Sequence, residues 1–144
     1  MQTFLPYSDF GWSASVLDNK RLGKQRVENL QIMKALTLPE YGWKNHPAVK
    51  MWRNHVTDLY RYQVAICAEW TEVRGFKDTC LGKTEAIMLA ADMGLESDDE
   101  PTWLGLTELH RSHRSNLVRK DPSFYAPRFE IGLPDNLDYV WPVC

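Results

Sequence analysis

A chain of 144 residues has room for one sizeable core, and six Trp, six Tyr and five Phe supply large side chains to fill it. With 44% hydrophobic residues and a mean hydropathy of -0.43, the composition excludes a disordered chain, and no apolar run reaches the roughly 20 residues that span a bilayer. The formal net charge of -2 argues against a polyanionic partner only if the charges are evenly spread, and they are not.

The start, Met1 to Pro6, has neither a basic segment nor a long apolar one, so no secretory leader is expected. Ser13 or Ser15 caps a first helix that is predicted to run to Leu36, ahead of Pro39. At 100° per residue, Val16, Leu22, Gly23, Val27, Leu30 and Met33 share its core face, while Leu17, Arg21, Lys24, Glu28 and Gln31 form a stripe opposite. Arg26 falls on the apolar side, where an arginine needs a partner. After a loop over 38–46, Pro47 opens a second helix with His46 before it. Val49, Trp52, Val56, Leu59, Ile66, Trp70 and Val73 recur at helical spacing, making this the central helix, and Gly75-Phe76 reads as its left-handed stop. A third helix is expected from Leu81 to Met93, ended by Gly94, and a fourth from Thr107 to Lys120. The remainder, with Phe124, Tyr125, Phe129, Tyr139 and Trp141 among several prolines, reads as an extended aromatic tail. No strand alternation, repeat or boundary marks a second domain. The expectation is all-α: one compact bundle of about four helices over residues 1–144.

Charge is segregated along this frame. Asp92, Glu96, Asp98, Asp99 and Glu100 make an acidic loop. Lys20, Arg21, Lys24, Arg26 and Lys34 against Asp18 and Glu28 leave the first helix at +3. Arg111, Arg114, Arg119, Lys120 and Arg128 against Glu108 and Asp121 leave the fourth at +3, with His110 and His113 beside them. A polyanion responds to such local fields rather than to the sum, although solvated helix faces would look the same. Cys67, Cys80 and Cys144 are odd in number and lack a C-x-x-C pairing, which suits reduced thiols in a cytoplasmic protein better than a disulfide framework or zinc site. His110 and His113 have no cysteine or acidic companions, so no metal is expected.

Four stretches resemble the phage-type pyrimidine-dimer DNA glycosylase/abasic lyase family and its small bacterial relatives. Leu17-Asp18-Asn19-Lys20-Arg21-Leu22 is followed six residues on by Glu28, the spacing of the family's catalytic glutamate. His46 precedes a long aromatic helix, and Tyr62 to Glu69 runs on to Arg74-Gly75-Phe76-Lys77-Asp78-Thr79. His113-Arg114-Ser115-Asn116-Leu117, with Asp121-Pro122-Ser123-Phe124-Tyr125, is similar to the family's basic helix and aromatic end. The resemblance implies a monomeric, cofactor-free enzyme on double-stranded DNA, with Glu28 as catalytic carboxylate. The segregated charge then makes Arg21, Lys24, Arg26, His113, Arg114, Arg119 and Lys120 the expected DNA contacts, to which the resemblance adds His46.

The family's nucleophile is the α-amine of a small residue exposed by loss of the initiator Met. Here the bulky Gln2 follows Met1, which normally leaves the Met in place, and Val27 stands where the family has an Arg before its Glu. Met1's own amine is then the candidate nucleophile, since α-amines as a class, with pKa values of about 7.7–8.0 in model peptides, keep a useful neutral fraction at pH 7. Lys20, Lys24 or a Glu28-activated water are the alternatives. The bare spacing Lys24–Glu28 is also that of a surface ion pair. Tyr7, Trp43, Phe124 and Tyr125 are candidates for stacking on bases, or simply for the core. A non-catalytic DNA- or RNA-binding module and an enzyme of free nucleosides remain open.

Overall fold

The computed structural model describes residues 1–91 and 100–142, and these are helical with no strand among them. Asp9 starts the first helix: its carboxylate accepts the Trp12 N–H at 2.7 Å, and α1 runs Phe10–Val16. Ser13 and Ser15 lie inside it rather than capping it. The Ser13 hydroxyl is taken by the Tyr7 backbone, donating to its carbonyl at 2.9 Å and accepting its N–H at 3.0 Å. The single helix expected from Ser13 to Leu36 is therefore two, because the backbone is extended at Leu17 and Asp18 and restarts as α2, Asn19–Thr37. The break is held from outside. Tyr125 accepts the Asp18 N–H at 2.9 Å and donates its hydroxyl proton to the Asp18 carboxylate, which Arg21 also approaches at 3.3 Å.

The long second helix is divided too. Asn54, at φ 67, occupies the left-handed region that asparagine tolerates. It separates α3, Pro47–Trp52, from α4, Val56–Ala68, which passes into a π-helical turn, Glu69–Val73. The stop at Gly75 is as expected: φ is 75, the Gly75 and Phe76 N–H groups donate back to Thr71 and Trp70, each at 3.0 Å, and Phe76 stacks on Trp70 at 4.3 Å. Then come α5, Cys80–Ala90, and α6, Thr107–Lys120, followed by the single turn α7, Pro122–Tyr125, which the sequence pattern does not mark. The expected helix end at Met93-Gly94 and the acidic residues Asp92, Glu96, Asp98 and Asp99 lie outside the described residues. No described helix is long and apolar enough to cross a membrane.

The core closes around Trp52, fully buried, stacked on Tyr62 at 5.8 Å and met edge-on by Trp103 at 5.0 Å. α2 packs against α3, α4 and α5, so more than one of its flanks is covered. That overturns the single-stripe picture. Leu17 is buried, Val27 is 42% exposed, and the buried set is Leu22, Gln25, Glu28, Asn29, Leu30, Ile32, Met33 and Ala35. Gly23 lets α2 approach the π turn: a Cβ there would come within 2.9 Å of the Trp70 ring.

Arg26 finds the partner that its position demands. Its Nη1 lies 2.5 Å from Asp78 Oδ1, and its guanidinium sits 4.4 Å over the Trp70 ring. Asp78 in turn accepts the Cys80 and Leu81 N–H groups at 3.0 Å each, tying the start of α5 to α2. Removing one member of a desolvated pair leaves the other charge uncompensated. Arg26→Ala is expected to cost about 3 kcal/mol, read as a lower urea midpoint, and to leave the salt dependence of DNA binding unchanged.

Candidate active site

The first six residues are the key to the site, because their backbone is bonded almost continuously to side chains of three helices, and the Thr3 hydroxyl to a fourth. Gln25 on α2 donates to the Gln2 carbonyl at 3.0 Å and accepts the Phe4 N–H at 2.9 Å. Trp52 on α3 donates to the Thr3 hydroxyl at 3.1 Å, and the Tyr62 hydroxyl on α4 donates to the Phe4 carbonyl. Two imidazoles one turn apart on α6 grip Leu5. His113 Nδ1 accepts its N–H at 2.9 Å, and His110 Nδ1 lies 2.8 Å from its carbonyl. His110 Nε2 accepts the Gly105 N–H at 2.9 Å, so its proton is on Nδ1 and donates to Leu5, while His113 must carry its proton on Nε2. Both rings are thus neutral. Burial lowers the His113 pKa to about 3, with His110 adding to the effect, and burial lowers that of His110 as well. Arg114 donates to the Pro6 carbonyl at 2.8 Å, completing the series.

With residues 2–6 so anchored, the charge of the Met1 amine acts on Glu28. Glu28 is 5% exposed, and its Oε2 has no hydrogen-bond partner among the described residues. Burial raises its pKa above the ordinary carboxylate value, opposed first by Lys24, whose Nζ is 3.8 Å away, then by the Met1 amine and by Lys120. The amine's charge also acts on His46, lowering its pKa after burial has done so. The carboxylate and two lysines are therefore coupled electrostatically to the amine or to one another, and His46 is coupled to the amine. Arg21 and Arg119 join this coupling. After burial, their charges and that of Lys24 lower the Lys120 pKa, while Glu28 raises it.

The tail supplies a wall. Tyr139 meets His113 edge-on at 5.4 Å, and Trp141 lies 6.1 Å from His113 and 6.5 Å from His46. Burial pushes the Tyr139 pKa up to about 12, helped by Glu28 and opposed by Arg119 and Arg21. Its hydroxyl, the Nε2 of His113 and the free oxygen of Glu28 are all buried without protein partners among the described residues. Such orphaned polar atoms mark where water or a polar ligand completes the structure.

Met1, Glu28, Arg21, Lys24, His46, Arg119 and Lys120 are thus linked by the charges that act among them. The structure engages three other expected DNA contacts elsewhere. Arg26 is committed to Asp78, and His113 is fully buried against Leu5. Arg114 makes two contacts with Glu130, at 2.9 and 3.1 Å, and covers the Tyr7 ring. His46 faces inward at Nδ1, accepting the Ala48 N–H at 3.1 Å as the cap of α3. Among the aromatic candidates, Tyr125 is fully buried on Asp18, Tyr7 is stacked on Trp12 at 3.7 Å, and Phe124 lies beneath Arg128. Lys20 is exposed.

The sequence pattern singles out neither Gln25, Tyr62 and Trp52, which hold the first residues, nor Tyr139 and Trp141 as part of the site. A signal exists for the first. Gln25 and Asn29 stand at core spacing with Leu22, Ile32 and Met33, and a polar side chain in a core register must have a buried partner. For the tail pair, which folds back from more than 100 residues away, there is none.

No curated protein and no solved structure matches the chain. The sequence pattern of one family, pyrimidine dimer DNA glycosylase, matches residues 1–84, which include Met1, Glu28 and His46. That is more than half of the 144 residues, and the chain belongs to this family.

Proposed function

We propose that the protein cleaves the N-glycosidic bond of a modified or damaged pyrimidine in double-stranded DNA, with the Met1 amine as nucleophile and Glu28 as the carboxylate beside it. One observation carries the reading: the buried carboxylate of Glu28, with Lys24 Nζ 3.8 Å away, feels the charges of the Met1 amine and of Lys120. Lys24, Arg119 and Lys120 suit phosphates on either side of an extruded nucleotide, Arg21 being paired with Asp18, while the carboxylate and amine suit its sugar.

The steps follow from these groups. The neutral amine attacks C1′ as the base leaves with the electron pair of the glycosidic bond and takes up a proton. Glu28, in its ionised form, stabilises the positive charge that develops on the sugar. The sugar ring then opens to an imine between C1′ and the terminal nitrogen. Water at the imine frees the amine and leaves an abasic sugar. Loss of the C2′ proton instead expels the 3′-phosphate and cuts the strand, which is the lyase step. Because burial raises the Glu28 pKa, the acid limb of base release should lie above the pH at which a free glutamate titrates.

A panel of duplexes, each with one modified pyrimidine, tests the reading through release of the free base. Release from one or a few of them is expected. Salt-dependent binding without release from any would leave a binding module on the same scaffold, and activity confined to free nucleosides would remove DNA from the account.

Binding carries its own expectation. Lys24→Gln, Arg119→Gln and Lys120→Gln should each weaken binding in every sequence context and lower the salt slope by about one phosphate contact. Arg114→Gln should leave the slope unchanged, since its guanidinium is held by Glu130 and Pro6. Equal slopes across all four variants would place the DNA on another face.

A further inference from the structure

Trp43 is the most exposed of the six tryptophans, at 64%, and it stands in the left-handed backbone region at φ 69. Both facts are unfavourable for this residue type: the indole sits in water, and its Cβ is crowded by the backbone. Gly42, immediately before it, is not among the glycines with positive φ, so the strain falls on the tryptophan although a glycine stands next to it.

The loop is nevertheless firmly built. The Lys44 ammonium donates to the carbonyls of Ala35 at 2.8 Å and Leu38 at 2.7 Å, closing the end of α2. Arg53 donates to the Lys44 carbonyl at 2.8 Å, and the His46 N–H returns to the Trp43 carbonyl at 3.0 Å. An indole held out on so well-anchored a loop is displayed rather than left over. Its location is specific as well. Trp43 meets His46 edge-on at 6.1 Å, and His46 is met in turn by Trp141 at 6.5 Å and feels the charge of the Met1 amine.

We propose that Trp43 stacks on the face of an unpaired base in DNA at the rim of this site and so contributes to the selection of disrupted base pairs over intact ones. The inference rests on the glycosylase reading, because an enzyme acting on a base must first extrude it and leaves the stack broken. An aromatic face fits any base, so the contribution is to recognition of unpairing and not of sequence.

The test is anisotropy binding of the full chain to two otherwise identical duplexes, one intact and one with a tetrahydrofuran abasic analogue that leaves the opposite base unpaired. Trp43→Asn suits the backbone at this position and removes the ring. It should weaken binding to the analogue duplex by about 5- to 150-fold and leave intact-duplex binding unchanged. The melting temperature should be unchanged or higher, because the strain is relieved. Trp43→Phe should restore most of the preference.

Three results overturn the proposal: no preference of the wild-type chain for the analogue duplex, an unchanged preference in Trp43→Asn, or a loss in proportion to a fall in melting temperature that Trp43→Phe does not repair. Base release by the wild-type chain is scored separately. Its absence counts against the glycosylase reading, whereas the binding ratio decides the role of Trp43.

Discussion

Glu28→Gln should slow single-turnover base release by about 10²- to 10⁴-fold while leaving the fold intact. The stability half of this expectation follows from the sign of the pKa shift. The Glu28 pKa is raised in the folded chain, so the stability it contributes is fully present below the pKa of an unfolded glutamate and is lost as pH rises through the folded value. At pH 7 the native state therefore bears the desolvation of a buried carboxylate whose Oε2 has no partner among the described residues. A neutral amide of the same shape removes that cost, so the melting temperature of Glu28→Gln at pH 7 should equal or exceed that of the wild type. Lost catalysis with retained or improved stability is what a group kept for chemistry predicts. A variant with lost stability and normal release would make Glu28 a structural residue.

The other large effect is expected at the amine. Placing even a short extension before Met1, or acylating its nitrogen, should reduce release by on the order of 10²-fold or more, because displacement of a reacting group by about 1 Å already has that effect. The clamp explains the sensitivity. Gln25, Tyr62, His110 and His113 fix residues 2–5, leaving Met1 little freedom to turn its nitrogen away, and its side chain packs partly buried against the core. DNA binding, proposed above to rest on Lys24, Arg119 and Lys120, should survive the same modification.

The fold is largely legible where a local rule governs it. Pro47 after His46, the Gly75-Phe76 stop and the span of α6 all follow from short-range chemistry, and all are found. The misread places are those where distant contacts decide. The break at Leu17-Asp18 depends on Tyr125, more than a hundred residues away, and the burial of Glu28 depends on how many helices surround α2. Asn54 is a missed local signal, since an asparagine in an otherwise helical run is well suited to the left-handed turn that divides α3 from α4. At the site, Glu28 and Met1 come from the family resemblance and not from helical spacing, which put Glu28 on an open stripe. Counting basic residues gathers Arg26 and Arg114 with the rest. Only the structure shows their acidic partners, Asp78 and Glu130, to which the two guanidinium groups are already bonded.

Borohydride trapping tests the central claim most directly. An amine that displaces the base passes through a reducible imine, whereas a water-using enzyme does not. Reduction during turnover on a releasable duplex should therefore yield a covalent protein–DNA adduct, and peptide mapping should place it on the Met1 nitrogen. Base release with no adduct under the same conditions, or an adduct mapped to Lys20 or Lys24, would contradict the account.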